Sequence, residues 1–337
     1  MTRLPGPRRA ALCLLALSVL TPSTVSAGGL SNPDSLRAQL QAIASRHPGR
    51  IGVCAQDERS APVCVNGDQR FSLQSVMKVV AAAAAMDAVD QGRMKLEEPI
   101  TVRRQDLSVY VQPIADLVKK QGQFDTTIGD IIRRAVVQSD NAAADILVAR
   151  LGGPEAVQAF LNRKGVADLR IDRDERHLQS ESTGLTWKPE YVDPERFSKA
   201  RQALSKQARD AAYDAYRKDE RDTATPKGMT SFLHALMTGR LLSPASTRHL
   251  MDVMAQTATS PDRLRAGAAR GWTVAHKTGS SGTWNGITAA TNDVGILIAP
   301  DGGKVAIAAF VADSKAPYKD RAAAIAAAAR AATASYQ

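Results

Sequence analysis

Strand-like segments sit near the two ends of this chain and alanine-rich helical patterns fill its middle, a distribution that restricts the fold more than any other feature. Residues 50–56 and 62–66 are short apolar runs around a polar turn, Asp57-Glu58-Arg59-Ser60, and read as a hairpin. Residues 273–276, 294–298 and 305–311 are β-branched and apolar, with Asp301-Gly302-Gly303 as the turn between the last two. Between these ends the pattern is helical, from an alanine-rich run at 79–89 through periodic segments at 128–137, 141–151 and 154–165. Pro33-Asp34 supplies the start signal of a helix over 34–46, and a last alanine-rich helix follows from Tyr318. The expected fold class is α/β plus all-α, with one antiparallel sheet assembled from both chain ends and a helical domain inserted between them. The bounds so predicted are 28–70 with 260–337 for the sheet-bearing domain and 71–259 for the helical one. No internal repeat is present.

The first residues belong to a different logic. Arg3, Arg8 and Arg9 precede an apolar run at 10–20 and small residues ending Val25-Ser26-Ala27, the pattern of an export signal over 1–27 that is removed from the mature protein. The run is too short for a permanent span, which needs roughly 20 apolar residues, and Cys13 lacks the surroundings of a lipoprotein site. No membrane anchor is therefore expected after removal, and the product is periplasmic or secreted. The pair Arg8-Arg9 fits both general and twin-arginine export. Three signal arginines account for part of the formal charge of +10; the remaining basic balance suits anionic ligands. Nucleic acid is not an expected partner, because basic and acidic residues are interleaved, as in Asp172-Arg173-Asp174-Glu175-Arg176, and not gathered into a stripe with aromatics.

Two cysteines remain beyond the signal, Cys54 and Cys64. The hairpin places them across from one another, and an oxidising compartment favours a disulfide; two buried free thiols are the other reading. Five histidines stand singly at 47, 177, 234, 249 and 276, without the close spacing that a zinc site requires.

Three short motifs carry the chemistry. Ser75-Val76-Met77-Lys78 opens the first helix of the middle region, and a spacing of three sets the hydroxyl and the amine on one face. A serine hydroxyl becomes a useful nucleophile once a neighbouring base takes its proton, but a serine and a lysine three apart are most often surface residues. Ser139-Asp140-Asn141 at a helix start and Lys277-Thr278-Gly279 at a strand end follow in order. Together the three motifs resemble the set found in class A β-lactamases and penicillin-binding proteins, and the resemblance extends over nearly the whole mature chain.

What this resemblance implies can be given residue by residue. Ser75 would attack the lactam carbonyl, and its backbone N–H with that of Ser280 would form the oxyanion hole. Lys78 would accept or relay the serine proton, and Ser139 would pass a proton to the departing nitrogen. Asn141 would bind the substrate's side-chain amide; Lys277, Thr278 and Ser280 would bind its carboxylate, with Gly279 leaving room along the strand. Tyr110 matches the aromatic wall of the site, and Arg263 a carboxylate-assisting arginine, although either could be an ordinary structural or surface residue. The run 169–179 resembles the start of the family's Ω-loop, which makes Glu175 the base for the deacylating water. The implied ligand is a small-molecule β-lactam, with no cofactor and no metal, and a monomer is expected.

The sequence also departs from the family pattern. The closing half of the Ω-loop resembles 219–226, so the loop spans about 170–226, and 46 residues lie between Glu175 and Asp222, several tens more than the pattern has. The excess contains Trp187, Pro189, Tyr191 and Pro194 and a helix-like stretch over 195–218. Arg173 and Asp222 could still pin the neck. Gln179 stands where an asparagine usually helps hold the water. His276, the lengthened turn at Trp284-Asn285-Gly286 and the run Thr291-Asn292-Asp293 resemble the extended-spectrum subgroup. Two other functions fit parts of the pattern: a penicillin-binding D,D-peptidase, which lacks a deacylating glutamate here, and a non-catalytic envelope binding protein, which would not require all the motif side chains together.

Overall fold

The structure, a computed structural model, describes residues 1, 2, 4, 6 and 28–337; nearly all of the export-signal segment, 1–27, lies outside the described residues. In chain order, α1 (Pro33–Arg46) leads into β1 (Arg50–Asp57) and β2 (Val63–Val65), then β3 (Phe71–Ser72), a 3-10 turn at Gln74–Val76 and α2 (Met77–Asp90). The middle holds β4 (Pro99–Val102), α3 (Ile114–Gln121), β5 (Phe124–Thr127), α4 (Ile128–Val137), α5 (Asn141–Leu151), α6 (Pro154–Arg163), α7 (Glu175–Glu181), α8 (Pro194–Ala203) and α9 (Lys206–Lys218). After β6 (Thr223–Ala224) come α10 (Pro226–Met237), α11 (Pro244–Ala255) and α12 (Leu264–Gly267), then β7 (Thr273–Ser280), β8 (Thr283–Trp284), β9 (Ile287–Ile298), β10 (Lys304–Ser314) and α13 (Tyr318–Ala334).

Both chain ends build one antiparallel sheet, in the order β2-β1-β10-β9-β7 with β8 on β9. Its central strands are buried on both faces, which is why the last part of β9 and most of β10 read as apolar runs without a two-residue alternation; the middle of β9 buries polar residues, Thr291, Asn292 and Asp293. One face packs under α1 and α13 through Leu36, Leu40, Val53, Ile307 and Ile325. The other joins the helices through Phe71, Phe310, Ile296 and Phe232. Helix α2 runs through this second core and is buried from Met77 to Ala88; its small alanines let neighbours approach from every side, and a helix apolar all round has no solvent face to offer.

The hairpin pairs Cys54 directly with Cys64, and the two are joined by a disulfide. The structure adds two small sheets that a two-residue period could not reveal: β3 with β6, and β4 with β5. The helix-like stretch over 195–218 is two helices, not one. Leu204 is extended and the Ser205 side chain accepts from Ala208 N to cap α9, so a serine cap ends one helix and begins the next.

Replacing Cys54 and Cys64 by serine is predicted to lower the unfolding free energy by about 2–3 kcal/mol, because a short covalent loop is released in the unfolded chain. Urea unfolding of the oxidised and double-serine proteins measures the difference.

Candidate active site

Ser75 lies in the 3-10 turn before α2, and Lys78 in the first turn of that helix, where the lysine is fully buried. Its ammonium is saturated by partners from the facing helix start. Nζ donates to Ser139 O at 2.7 Å, Asn141 Oδ1 at 2.5 Å and Ser139 Oγ at 3.3 Å, and lies 3.2 Å from Glu175 Oε1. Asp140, between those two partners, caps α5 by accepting from Ala143 N and also accepts from Ile114 N. The cap thereby fixes where Ser139 and Asn141 point. A second buried lysine, Lys277, donates to Ser139 Oγ at 2.9 Å and to Thr278 O at 2.9 Å. Burial, reinforced by the charge of Lys78, holds the Lys277 ammonium well below the usual lysine range.

The Ser75 hydroxyl donates to Glu175 Oε1 at 3.2 Å, and Lys78 is paired to that same oxygen. Burial pushes the Glu175 carboxyl up, but the Lys78 charge and hydrogen bonds from Gln179, Lys78 and Ser75 outweigh it and leave Glu175 below the ordinary glutamate value. Gln179, one helical turn later, donates to Glu175 Oε2 at 2.9 Å and to Gln74 Oε1 at 3.1 Å; its extra methylene still lets the amide reach the carboxylate. Asp145 of α5 anchors the start of α7 by accepting from Glu175 N at 2.7 Å and from the Arg176 side chain at 3.1 Å.

Strand β7 is the outer edge of the sheet. Ser281 N donates inward to Ala290 O, so by the alternation of an antiparallel ladder the N–H of Ser280 faces outward, on the side of Ser75. The strand passes so close to the serine turn that a Cβ on Gly279 would lie 2.6 Å from Leu73 O. Thr278 shares a hydroxyl contact of 2.6 Å with Thr259. Arg263 is no surface arginine: it is buried, donates to the carbonyls of Gly279 and Asn292, and holds Ser280 Oγ at 2.7 Å. Asn292 in turn donates to Ser72 O and Leu73 O, tying β9 to the turn that carries Ser75.

These groups open onto a cleft of about 370 Å³ whose lining includes Ser75, Tyr110, Asn141, Gln179 and Ser280. Three residues on or beneath it, Gln74, Tyr110 and Ser139, have φ of 48°, 61° and 57°, a left-handed conformation that non-glycine residues adopt only when their surroundings impose it. Tyr110 is 46% exposed and meets Phe197 edge-on. The loop neck is closed by Arg173, whose Nε meets Asp222 Oδ2 at 2.6 Å, and by Asp222 Oδ1 accepting from the backbone of Asp172 and Arg173. The segment beyond the neck folds over the cleft: Tyr213 OH joins Gly282 O, Ile287 O and Ala289 N, and Tyr216 OH joins Ser72 and Gln74. Burial pushes the Tyr216 hydroxyl up to about 12, so it remains protonated as a hydrogen-bonding group. Asp145, Gln74, Tyr213, Tyr216 and Thr259 had no motif to mark them; only the aromatic content of the inserted segment hinted that it packs.

The sequence matches the profile of the β-lactamase enzyme family over residues 35–336. The β-lactamase VEB-1 of Pseudomonas aeruginosa is 30% identical over 287 residues, covering 84% of each chain. The class A β-lactamase representing the last common ancestor of Gram-negative bacteria superposes with a TM-score of 0.70 at 31% identity, over 89% of this chain and 98% of that one. The chain belongs to the class A serine β-lactamase family. The TLA-3 extended-spectrum β-lactamase has a TM-score of 0.72 at 27% identity, covering 90% and 98% of the two chains. For this β-lactamase the site geometry therefore belongs to an enzyme whose fold is shared along nearly its full length with solved relatives.

Burial and the charge of Asp174, opposed by Arg176, push Asp145 up to about 7. A carboxyl raised above its unfolded value binds more protons folded than unfolded, so its contribution to stability falls as pH rises from the ordinary carboxylate range to about 7. Asp145→Asn is predicted to remove that component, so the stability difference between wild type and variant shifts in the variant's favour with rising pH over this window. Urea titrations between these pH limits read it; parallel pH profiles would contradict it.

Proposed function

We propose that this enzyme hydrolyses β-lactams by acylation and deacylation of Ser75. The observation that supports the proposal is the contact of Ser75 Oγ and Lys78 Nζ with one oxygen, Oε1 of Glu175, each at 3.2 Å: a hydroxyl, a carboxylate able to take its proton and a compensating ammonium lie together. In acylation, Ser75 Oγ bonds to the lactam carbon as its proton moves to Glu175. The N–H groups of Ser75 and Ser280 receive the developing oxyanion. As the C–N bond breaks, Lys78 passes a proton through Ser139, which lies between Lys78 and Lys277, to the ring nitrogen, and recovers one from Glu175 across their 3.2 Å contact, so that Glu175 is ionised again for the second half. In deacylation, Glu175 takes a proton from water as the water oxygen bonds to the acyl carbon, and returns one to Ser75 as the ester breaks. Gln179 orients the Glu175 carboxylate for that step.

Lys277, Thr278 and Ser280 bind the carboxylate of the ring system, with Arg263 and Thr259 holding the two hydroxyls from behind. Asn141 and the outer edge of β7 receive the side-chain amide, and Tyr110 walls the entrance. The long turn after β7 and the likeness to an extended-spectrum relative support action on cephalosporins as well as penicillins. The Cys54–Cys64 disulfide and the signal-like first 27 residues support export. Among the described residues no helix is long and apolar enough to cross a membrane.

Purified residues 28–337 are expected to turn over a chromogenic cephalosporin, and Ser75→Ala to lose at least about 10³-fold in kcat. Retention of a tenth or more of the wild-type rate by that variant would remove Ser75 from the chemistry.

A further inference from the structure

The inserted segment brings two cations to the cleft that the hydrolytic chemistry does not use. Arg201, near the end of α8, and Arg209, in the first turn of α9, stand on either side of the break at Leu204–Ser205 and both line the cleft that contains Ser75. Other arginines of the segment are neutralised: Arg217 pairs with Asp313 and Arg221 with Asp219. Arg201 and Arg209 have no carboxylate within ion-pair distance among the described residues. They are held by aromatic faces instead, Arg201 at 5.5 Å from the Tyr110 ring centre and Arg209 at 4.9 Å from that of Trp284. Arg209 Nε is buried without a hydrogen-bond partner. Among the described residues no Asp or Glu lines the cleft, and Asp210, beside Arg209, is taken up by Lys206, Trp284 and Asn285.

A guanidinium stacked on an aromatic ring is fixed in place while its N–H edge stays free for a planar anion. The ring carboxylate of the substrate is assigned to Lys277, Thr278 and Ser280, so these two arginines face a different part of the ligand. Asn141 and Ser280 mark where the acylamino side chain leaves the ring system, and Tyr110 and Trp284 with their arginines flank the cleft beyond them. We propose that Arg201 and Arg209 form a second anion subsite that takes a carboxylate or sulfonate carried on the β-lactam's acylamino side chain. The inference rests on the hydrolase reading above and adds a preference for dianionic substrates.

Benzylpenicillin and α-carboxybenzylpenicillin differ by one side-chain carboxylate, so the ratio of their kcat/KM values isolates the subsite. In Arg201→Ala/Arg209→Ala the ratio of the carboxylated to the plain penicillin is expected to fall at least tenfold at low salt, chiefly through KM, while benzylpenicillin changes less than threefold. The lysine pair should restore part of the loss. Lys199→Ala/Lys218→Ala removes two charges of the same segment away from the cleft and is expected to leave the ratio unchanged. A ratio that stays within twofold in the arginine variant, or that falls equally in the lysine control, overturns the subsite while leaving the hydrolase reading intact. If wild type turns over neither penicillin, the hydrolase reading fails, and the same ratio is then read from Ser75 acylation rates by intact-protein mass spectrometry.

Discussion

The ion pair of Lys78 and Glu175, both fully buried, is the constraint on which the rest of the structure depends. Removing such groups from water costs several kcal/mol per ion, and their attraction offsets this only when the remaining donors and acceptors are satisfied. Here Lys78 has Ser139 O and Asn141 Oδ1, and Glu175 has Gln179 and Ser75. Each partner is fixed by a further contact: Asp140 caps the helix that carries Asn141, and Asp145 holds the backbone of Glu175. The helix bearing Lys78 is buried from Met77 to Ala88, so the lysine has no exposed alternative. The result is one cluster in which a charged, hydrogen-bonded carboxylate is held beside the Ser75 hydroxyl.

The long loop serves the same cluster from outside. Its two ends meet at Arg173 and Asp222, with backbone bonds from Arg170 N to Thr223 O and from Thr225 N to Asp168 O. Closing a loop costs only slowly more as it lengthens, so an insertion beyond a secure neck need not loosen Glu175. The inserted helices are instead tied back to the sheet, through Tyr213 to the β8–β9 turn and through Arg217 to Asp313. They enlarge the wall of the cleft and leave the catalytic floor in place.

Much of this was legible in the amino-acid order, and the rest was hidden for physical reasons. The terminal strands, the hairpin of Cys54 and Cys64 and the flanking helices announce themselves through local composition and turns. Ser75, Lys78, Ser139, Asn141 and Lys277 are found because their motifs are short and ordered, and the structure brings them together. The two-residue strands β3 and β6 have no period to detect, since they exist only through pairing of Phe71 with Ala224 across the fold. Helices α10 and α11 have no motif of their own and fall under the general α-rich pattern of the middle. Arg263 could not be told from a surface arginine because its partners, Gly279, Ser280 and Asn292, are distant in sequence. Tyr216 meets Ser72 across 144 residues, a contact no window along the chain contains. The export segment, 1–27, rests on its sequence pattern alone.

The central claim is that Ser75 carries the acyl group and Glu175 directs its release. Intact-protein mass spectrometry with peptide mapping on Glu175→Gln mixed with benzylpenicillin tests it most directly. The account predicts an opened-penicillin adduct on Ser75 that persists for minutes or longer, while the wild type shows turnover and no lasting adduct. Rapid turnover by the variant without an adduct, or an adduct on another residue, would contradict it.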